Sequence, residues 1–184
     1  VLGLIKSLQK DTGMSVILVT HDLGVVANMA EHVVVMHRGR IMEKGDAQPI
    51  LSAPSHPYTQ QLFAAAPEIP HVEQAAPAVE YTDPILTMRD VNKTYKLRAS
   101  VAWKPDLLAR AVRGVDLTLD RGKTLAIVGE SGSGKTTLAK IALGAEKPDP
   151  GGEVLFRPVS GGDPIRVNEM TREERVGFQR NAQM

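Results

Sequence analysis

The run Thr124-Leu125-Ala126-Ile127-Val128-Gly129-Glu130-Ser131-Gly132-Ser133-Gly134-Lys135-Thr136-Thr137-Leu138-Ala139-Lys140-Ile141-Ala142-Leu143-Gly144 decides how the chain is read. Residues 129–136 match the pattern G-x-x-x-x-G-K-[ST] at every specified position. The five residues before it are a short apolar run of buried-strand type, and residues 137–144 read as a helix that ends at a glycine. That order, strand then glycine loop then helix, is the setting in which the pattern holds phosphate. Glycines let backbone N–H groups turn inward on a phosphate chain, and the helix N-terminus adds partial positive charge. Lys135 is placed to reach the terminal phosphates, and the Thr136 hydroxyl to ligate Mg²⁺. The bland alternative is a Gly-rich turn that binds nothing, and it leaves the flanking pattern unexplained. The segment predicts an α/β fold with a nucleotide-phosphate loop.

Upstream of the loop, Leu86–Val91 and Val115–Leu119 alternate as strands with one exposed face, and a charged turn at 120–123 leads into the loop strand. Downstream, 148–152 reads as a turn, 153–156 as a short strand, and Thr171 to Glu174 as a capping pattern that opens a helix. At the other end, residues 1–10 suggest an amphipathic helix that stops near Gly13. Ser15–Thr20 is then a buried strand, and Asp22 the N-cap of a helix over 23–30. His32–His37 and Arg40–Gly45 are partner strands about an Arg38-Gly39 turn, with helical sequence through Phe63. Between Ala64 and Pro84 the prolines at 67, 70, 77 and 84 bracket Ala- and Glu-rich sequence without apolar periodicity, a linker.

Composition narrows the function classes. The 184 residues carry a net charge of +1, so there is no electrostatic case for nucleic acid. With no cysteine there is no disulfide framework and no thiolate metal site. Asp22, Glu31 and His32 break the longest apolar stretches, so none spans a bilayer. Val1–Ile5 has no basic region before it and is not a signal peptide, and the missing initiator Met suggests that the sequence starts inside a longer protein.

Both halves then resemble one family. Residues 85–184 are similar to the N-terminal part of an ATP-binding-cassette (ABC) ATPase, with GESGSGKTT as its Walker A loop. Residues 1–63 resemble the C-terminal part of such a cassette. There Val16–Thr20 followed by His21, Asp22 and Leu23 looks like the switch strand with its histidine. Ala53-Pro54-Ser55-His56-Pro57-Tyr58-Thr59-Gln60-Gln61-Leu62 is similar to the tail of the oligopeptide/dipeptide importer branch. Within one cassette the phosphate loop comes first and the histidine last. Here His21 precedes Lys135, with the 64–84 linker between them, so the order implies two fused cassettes cut across their middle.

The resemblance implies ATP and Mg²⁺ as cofactors, with Gly129, Glu130, Ser131, Gly132, Ser133, Gly134, Lys135, Thr136 and Thr137 binding nucleotide and Thr136 holding the metal. It implies Tyr95 as the aromatic that stacks on adenine, against a tyrosine that packs on a core edge. His21 is implied as the switch histidine of the first cassette, against a lone structural histidine. His32, His37, His56 and His71 have no metal-ligand spacing and read as surface or turn residues. Gln179 reads as an exposed helix position, and Trp103 lies in a Lys96–Leu108 insertion without a matched role. The acidic Walker B strand, the signature sequence and the metal-sensing glutamine have no counterpart here. Ser160-Gly161-Gly162-Asp163 lacks the leucine and glutamine of a signature.

The implied function is ATP hydrolysis that drives import of peptides or similar solutes through transmembrane permease subunits. A solute-binding protein delivers the solute, the cassettes pair within the parent chain, and the whole sits on the cytoplasmic face of the membrane without nucleic acid. The alternative is a non-catalytic nucleotide-binding regulatory module. A small-molecule or nucleotide kinase shares the loop, but no lid arginine cluster or acceptor site accompanies it. The fused-pair reading also carries a geometric expectation: the halves lie apart, each is poorly covered, and His21 does not meet the loop of Lys135. A circularly permuted single cassette would put Val16–Thr20 in one sheet with Leu125–Val128 and turn His21 toward residues 129–136.

Overall fold

The computed structural model describes residues 2–65, 83–97, 107–158 and 163–183. Helix α1 (Leu2–Thr12) leads to strand β1 (Val16–Val19), α2 (Leu23–Met29), the hairpin β2 (His32–His37) and β3 (Arg40–Asp46), then α3 (Ala47–Ser52) and α4 (Pro57–Ala64). The long strands β4 (Pro84–Leu97) and β5 (Leu107–Asp120) follow, then β6 (Thr124–Val128), α5 (Lys135–Ala142), β7 (Glu153–Phe156), β8 (Ile165–Arg166) and α6 (Arg172–Asn181).

Strand β6 is buried along its whole length because it has a parallel neighbour on each side. Val16 to Val19 of β1 pair with Thr124 to Ile127, and His32 to Val35 of β2 pair with Leu125 to Val128. The sheet order is β1-β6-β2-β3. Side chains alternate across β6 and build two cores. Leu125 and Ile127 join Val34, Met36, Leu138 and Ile141 and the inner faces of β4 and β5. Ala126 and Val128 join Leu23, Val26, Val33, Val35, Ala47, Ile50 and Phe63. The second sheet runs β5-β4-β7-β8, and all its neighbouring pairs are antiparallel.

This overturns the expected separation of the halves. Three strands from residues 1–63 and one from residues 85–184 share a sheet, because a strand as apolar on both faces as β6 needs a partner at each edge and a layer on each side. The expected poor cover holds only in part: each half supplies a layer to the other, but the apolar residues Leu2, Leu4, Leu8 and Val19 of α1 and β1 stay exposed. The expected burial of Ser15–Thr20 also needs correction. β1 is an edge strand with Val19 36% exposed, and α1 has no buried residue.

Local chemistry fixes the remaining elements. Asp22 accepts from the Val25 N–H at 3.1 Å and caps α2. Arg38 (φ 47°) and Gly39 (φ 82°) both take the left-handed region in the two-residue β2–β3 turn, the hand that suits the strand twist. Thr171 and Glu174 close a capping box on α6, where Gln179 is exposed as read. Lys96, Leu97, Leu107 and Leu108 belong to β4 and β5 rather than to an insertion, while Trp103 lies outside the described residues. Of the 64–84 linker, 66–82 lie outside them too, as do His71 and Ser160–Gly162. Among the described residues no helix is long and apolar enough to cross a membrane.

Helix α4 is fastened to β3 through one carboxylate. Glu43 accepts from the Ser55 N–H and hydroxyl, both at 2.8 Å, and from the His56 N–H at 3.2 Å. Burial pushes the Glu43 carboxyl up, but hydrogen bonds from Thr59, Ser55 and His56 outweigh it and hold the pKa below its ordinary 4.5. A lowered folded pKa contributes stability above the unfolded value, lost as pH falls through the folded one. We therefore expect Glu43→Gln to cost about 1 kcal/mol near neutral pH, after discounting for partial exposure. That cost should vanish below the folded pKa. Denaturant melts across pH check it, and a cost that persists in acid would contradict the assignment.

Candidate functional site

The loop of residues 129–134 leaves β6 and enters α5, and its shape depends on close backbone approaches. Gly129 has φ 146°, and a Cβ there would lie 2.2 Å from the Met36 carbonyl oxygen on β2. Gly134 has φ 102°, and its Cβ would lie 2.2 Å from the Ala111 carbonyl oxygen on β5. Both positions admit only glycine. A Cβ on Gly132 would meet nothing within 4 Å, so that side of the loop faces open space. The β2–β3 turn is docked against the loop as well. The Gly39 N–H donates to the Ser133 carbonyl at 2.9 Å, and the Arg113 N–H donates to the Gly39 carbonyl at 2.8 Å. We expect Gly134→Ala to lose nucleotide binding and to destabilise the chain by about 2 kcal/mol or more. A thermal melt and an ATP titration check this; near-native values in both would contradict the packing.

Lys135 opens α5 and folds back into the loop. Its Nζ donates to the Gly129 carbonyl at 2.8 Å, the Glu130 carbonyl at 2.7 Å and Ser133 Oγ at 3.3 Å. Burial pushes its pKa down. A desolvated ammonium at a helix N-terminus, held by carbonyl oxygens and by no carboxylate, is electrostatically underpaid and suited to a polyanion. Thr136 stands exposed at the second position of α5, and Ser133 is buried. Residues 129–137 thus form one continuous loop and helix start, whose open side, inward backbone and single ammonium suit a phosphate chain.

His21 comes to the same place. The Thr20 N–H donates to the Ile127 carbonyl at 3.2 Å, which carries the end of β1 alongside the end of β6. The exposed His21 lines a cavity of about 30 Å³ with Leu23, Leu62, Val128 and Gly129. His21 and Gly129, from halves expected to lie far apart, thus border one cavity. The cause is the β1–β6 pairing, which the order of segments in the sequence did not reveal.

Tyr95 is half-buried on β4, with the Lys93 ammonium 5.1 Å from its ring centroid. It pairs with Ala109, two residues along β5 from the Ala111 carbonyl that backs Gly134. The other histidines were misread in part. His32 is 2% exposed, with Nδ1 3.0 Å from Asp46 Oδ1. His37 stacks on Tyr58, and His56 caps α4 by accepting from the Tyr58 N–H at 3.1 Å. A wider cavity of about 820 Å³, between β3, β4 and β5, is lined by Arg40, Lys44, Arg110 and Arg113 together with Asp116 and Asp149. It includes none of residues 129–136.

Comparison with known proteins agrees with this geometry. Residues 112–182 match the ABC transporter family model, and residues 42–99 match the model of the oligopeptide/dipeptide transporter C-terminal region. Two separate segments of the chain are therefore similar to ABC transporter families. The segment matched by the ABC transporter model holds β6, the glycine loop and α5, the strand, loop and helix of a P-loop arrangement. Among relatives, the glutathione import ATP-binding protein GsiA of Escherichia coli (strain K12) is 36% identical over 203 residues, which cover 97% of this chain and 32% of that protein. GsiA of Shigella dysenteriae serotype 1 matches to the same extent. The chain spans about a third of the length of these relatives. The solved dimeric, post-hydrolysis ATP-binding cassette MJ0796, bound to ADP and Pi, is 29% identical with a TM-score of 0.41, over 52% of this chain and 35% of that one.

Proposed function

We propose that this ABC ATP-binding chain binds ATP with Mg²⁺ and belongs to an importer that couples ATP hydrolysis to uptake of peptides or peptide-like solutes. The observation that carries the nucleotide part is the Lys135 ammonium, partly desolvated inside its own glycine loop at the start of α5. In this reading the loop N–H groups and Lys135 hold the phosphate oxygens, Thr136 ligates Mg²⁺, and Tyr95 stacks on the base. Bound Mg-ATP supplies a phosphoryl group whose transfer to water needs positioning and charge stabilisation. His21 would hydrogen-bond the terminal phosphate and orient water from its place beside Gly129. Glu130 is exposed at the loop's first turn and tunes the loop rather than acting as a base.

The importer part rests on the oligopeptide/dipeptide match and on relatives named for glutathione import. It brings transmembrane permease subunits and a solute-binding protein as partners, with the chain peripheral on the cytoplasmic face. We assign residues 1–63 to the C-terminal part of one cassette, 64–84 to a linker, and 85–184 to the N-terminal part of a second; the β1–β6 pairing is the arrangement a permuted single cassette would also give, and the fused order rests on the longer relatives instead. A single alignment across 97% of this chain within a relative three times longer supports that order as one inherited in a larger protein.

The isolated chain is expected to bind ATP weakly and to release phosphate at background rate, because no acidic strand or signature sequence accompanies the loop. Equilibrium titration with ATP and a steady-state phosphate assay test both parts. Absence of any binding would overturn the nucleotide reading. Phosphate release above background that disappears in Lys135→Ala would overturn the expectation of inactivity.

A further inference from the structure

The segment Ser55-His56-Pro57-Tyr58-Thr59 has no role in the nucleotide reading, yet its side chains converge on the phosphate loop from outside. Glu43 collects the Ser55 and His56 donors and fixes where α4 begins. Thr59 and Phe63 are buried on the inner face of α4 and hold its rotation. Tyr58 is thereby laid on His37, with ring centroids 4.1 Å apart and planes at 38°. His37 follows Met36, whose carbonyl oxygen is the atom that a Cβ on Gly129 would strike at 2.2 Å. One turn further along α4, Leu62 lines the small cavity shared by His21, Val128 and Gly129. On its Tyr58–Leu62 side, α4 faces the end of β2 and the small cavity beside Gly129.

The Tyr58 hydroxyl is buried and makes no hydrogen bond of ordinary geometry. A buried phenol in that state is costly unless a neighbouring dipole compensates. The neighbour that acts on it is Glu130. Burial raises the Tyr58 pKa, the Glu130 backbone lowers it, and the Glu130 carboxylate raises it again. Glu130 is also the residue whose carbonyl accepts from Lys135 Nζ at 2.7 Å. The geometric path from the phenol to the loop runs through His37: its neighbour Met36 sets a carbonyl against Gly129, and Gly39, two residues on, donates to the Ser133 carbonyl at 2.9 Å.

We propose that Tyr58 is a positioning residue of the phosphate loop: laid on His37, it holds the end of β2 and the β2–β3 turn against Gly129 and Ser133 and so keeps the loop in the form that receives a nucleotide. This role rests on the nucleotide reading above and adds a device to it. The oligopeptide/dipeptide tail, through α4, becomes a brace on the loop, so displacement of α4 loosens the site without touching any ligand-binding side chain.

The test compares wild type, Tyr58→Phe and Tyr58→Leu in the complete chain, by hydrogen exchange of loop amides and by ATP titration, with Lys135→Ala as the control for the nucleotide site. Tyr58→Leu should speed exchange across residues 129–134 about tenfold and weaken ATP binding about tenfold, with β4–β5 exchange unchanged. Tyr58→Phe keeps the stack on His37 and should fall between wild type and Tyr58→Leu on both measures. Wild-type loop exchange in Tyr58→Leu would overturn the proposal, as would equal acceleration in β4–β5, which marks a general loss of stability. Where Tyr58→Leu does not fold, Tyr58→Phe decides: unchanged loop exchange overturns the role. Failure of wild type to bind ATP would remove the nucleotide reading instead, and the exchange comparison would still decide whether Tyr58 braces the loop.

Discussion

Lys135→Ala is expected to abolish measurable ATP binding while leaving the chain folded. The ammonium is the one side-chain cation that the described contacts place inside the loop, where it donates to the Gly129 and Glu130 carbonyls and to Ser133 Oγ. Its burial already lowers its pKa, so part of its solvation has been given up before any ligand arrives. A triphosphate restores that loss with charge-assisted hydrogen bonds worth about 1.5–3 kcal/mol each. Two such bonds correspond to at least about a hundredfold in affinity. Folding should change by only about 1 kcal/mol, since the lost partners are loop carbonyls that water can reach once the side chain is gone. Isothermal titration together with a thermal melt separates the two effects. Binding within a few-fold of wild type in a folded Lys135→Ala chain would remove the loop from the site.

Much of this site was legible because its rules are local. A glycine loop after an apolar strand and before a helix reports its own conformation, and Gly129 and Gly134 sit where a Cβ would collide with a carbonyl. The β2–β3 hairpin was legible from Arg38-Gly39 between two apolar runs, the α6 start from Thr171 and Glu174, and the α2 cap from Asp22. Each signal lies within one contiguous stretch of about twenty residues or fewer, the range over which pattern and capping chemistry act.

What was not legible is the identity of partners at long range. A parallel strand carries no mark of its neighbour, so nothing in Val16–Val19 announced its register against Thr124–Ile127. The burial of His32 was hidden for the same reason. A histidine at a strand's start reads as exposed until Asp46, its cross-strand partner, is seen to face it. Tyr58 showed only as part of a family-like motif, because its role depends on His37 at the end of β2, from another segment.

That long-range pairing carries the other large expected effect. Ala126 is fully buried at the centre of β6, opposite Leu18 of β1 and Val33 of β2. The core on its side of the sheet is drawn otherwise from residues 1–63: Leu23, Val26, Val33, Val35, Ala47, Ile50, Leu51 and Phe63, with Val128 its one other buried member from β6. Ala126→Asp places a carboxylate there with no described cation in that cluster to pair it, at a cost of about 4 kcal/mol or more. That is a large fraction of the roughly 5–15 kcal/mol that holds a domain of this size together. Because the core is shared, the loss should appear in the other half of the sequence. Amides of β2 and β3 should lose their protection from hydrogen exchange, although the substitution lies some ninety residues away, a separation counted from Val35 to Ala126. Two independently folded halves make the opposite forecast, since β6 would then unfold while the β2–β3 hairpin and α2 kept native protection. Retained protection at residues 32–46 in Ala126→Asp would therefore dissolve the shared sheet, and with it the placement of His21 beside the Lys135 loop.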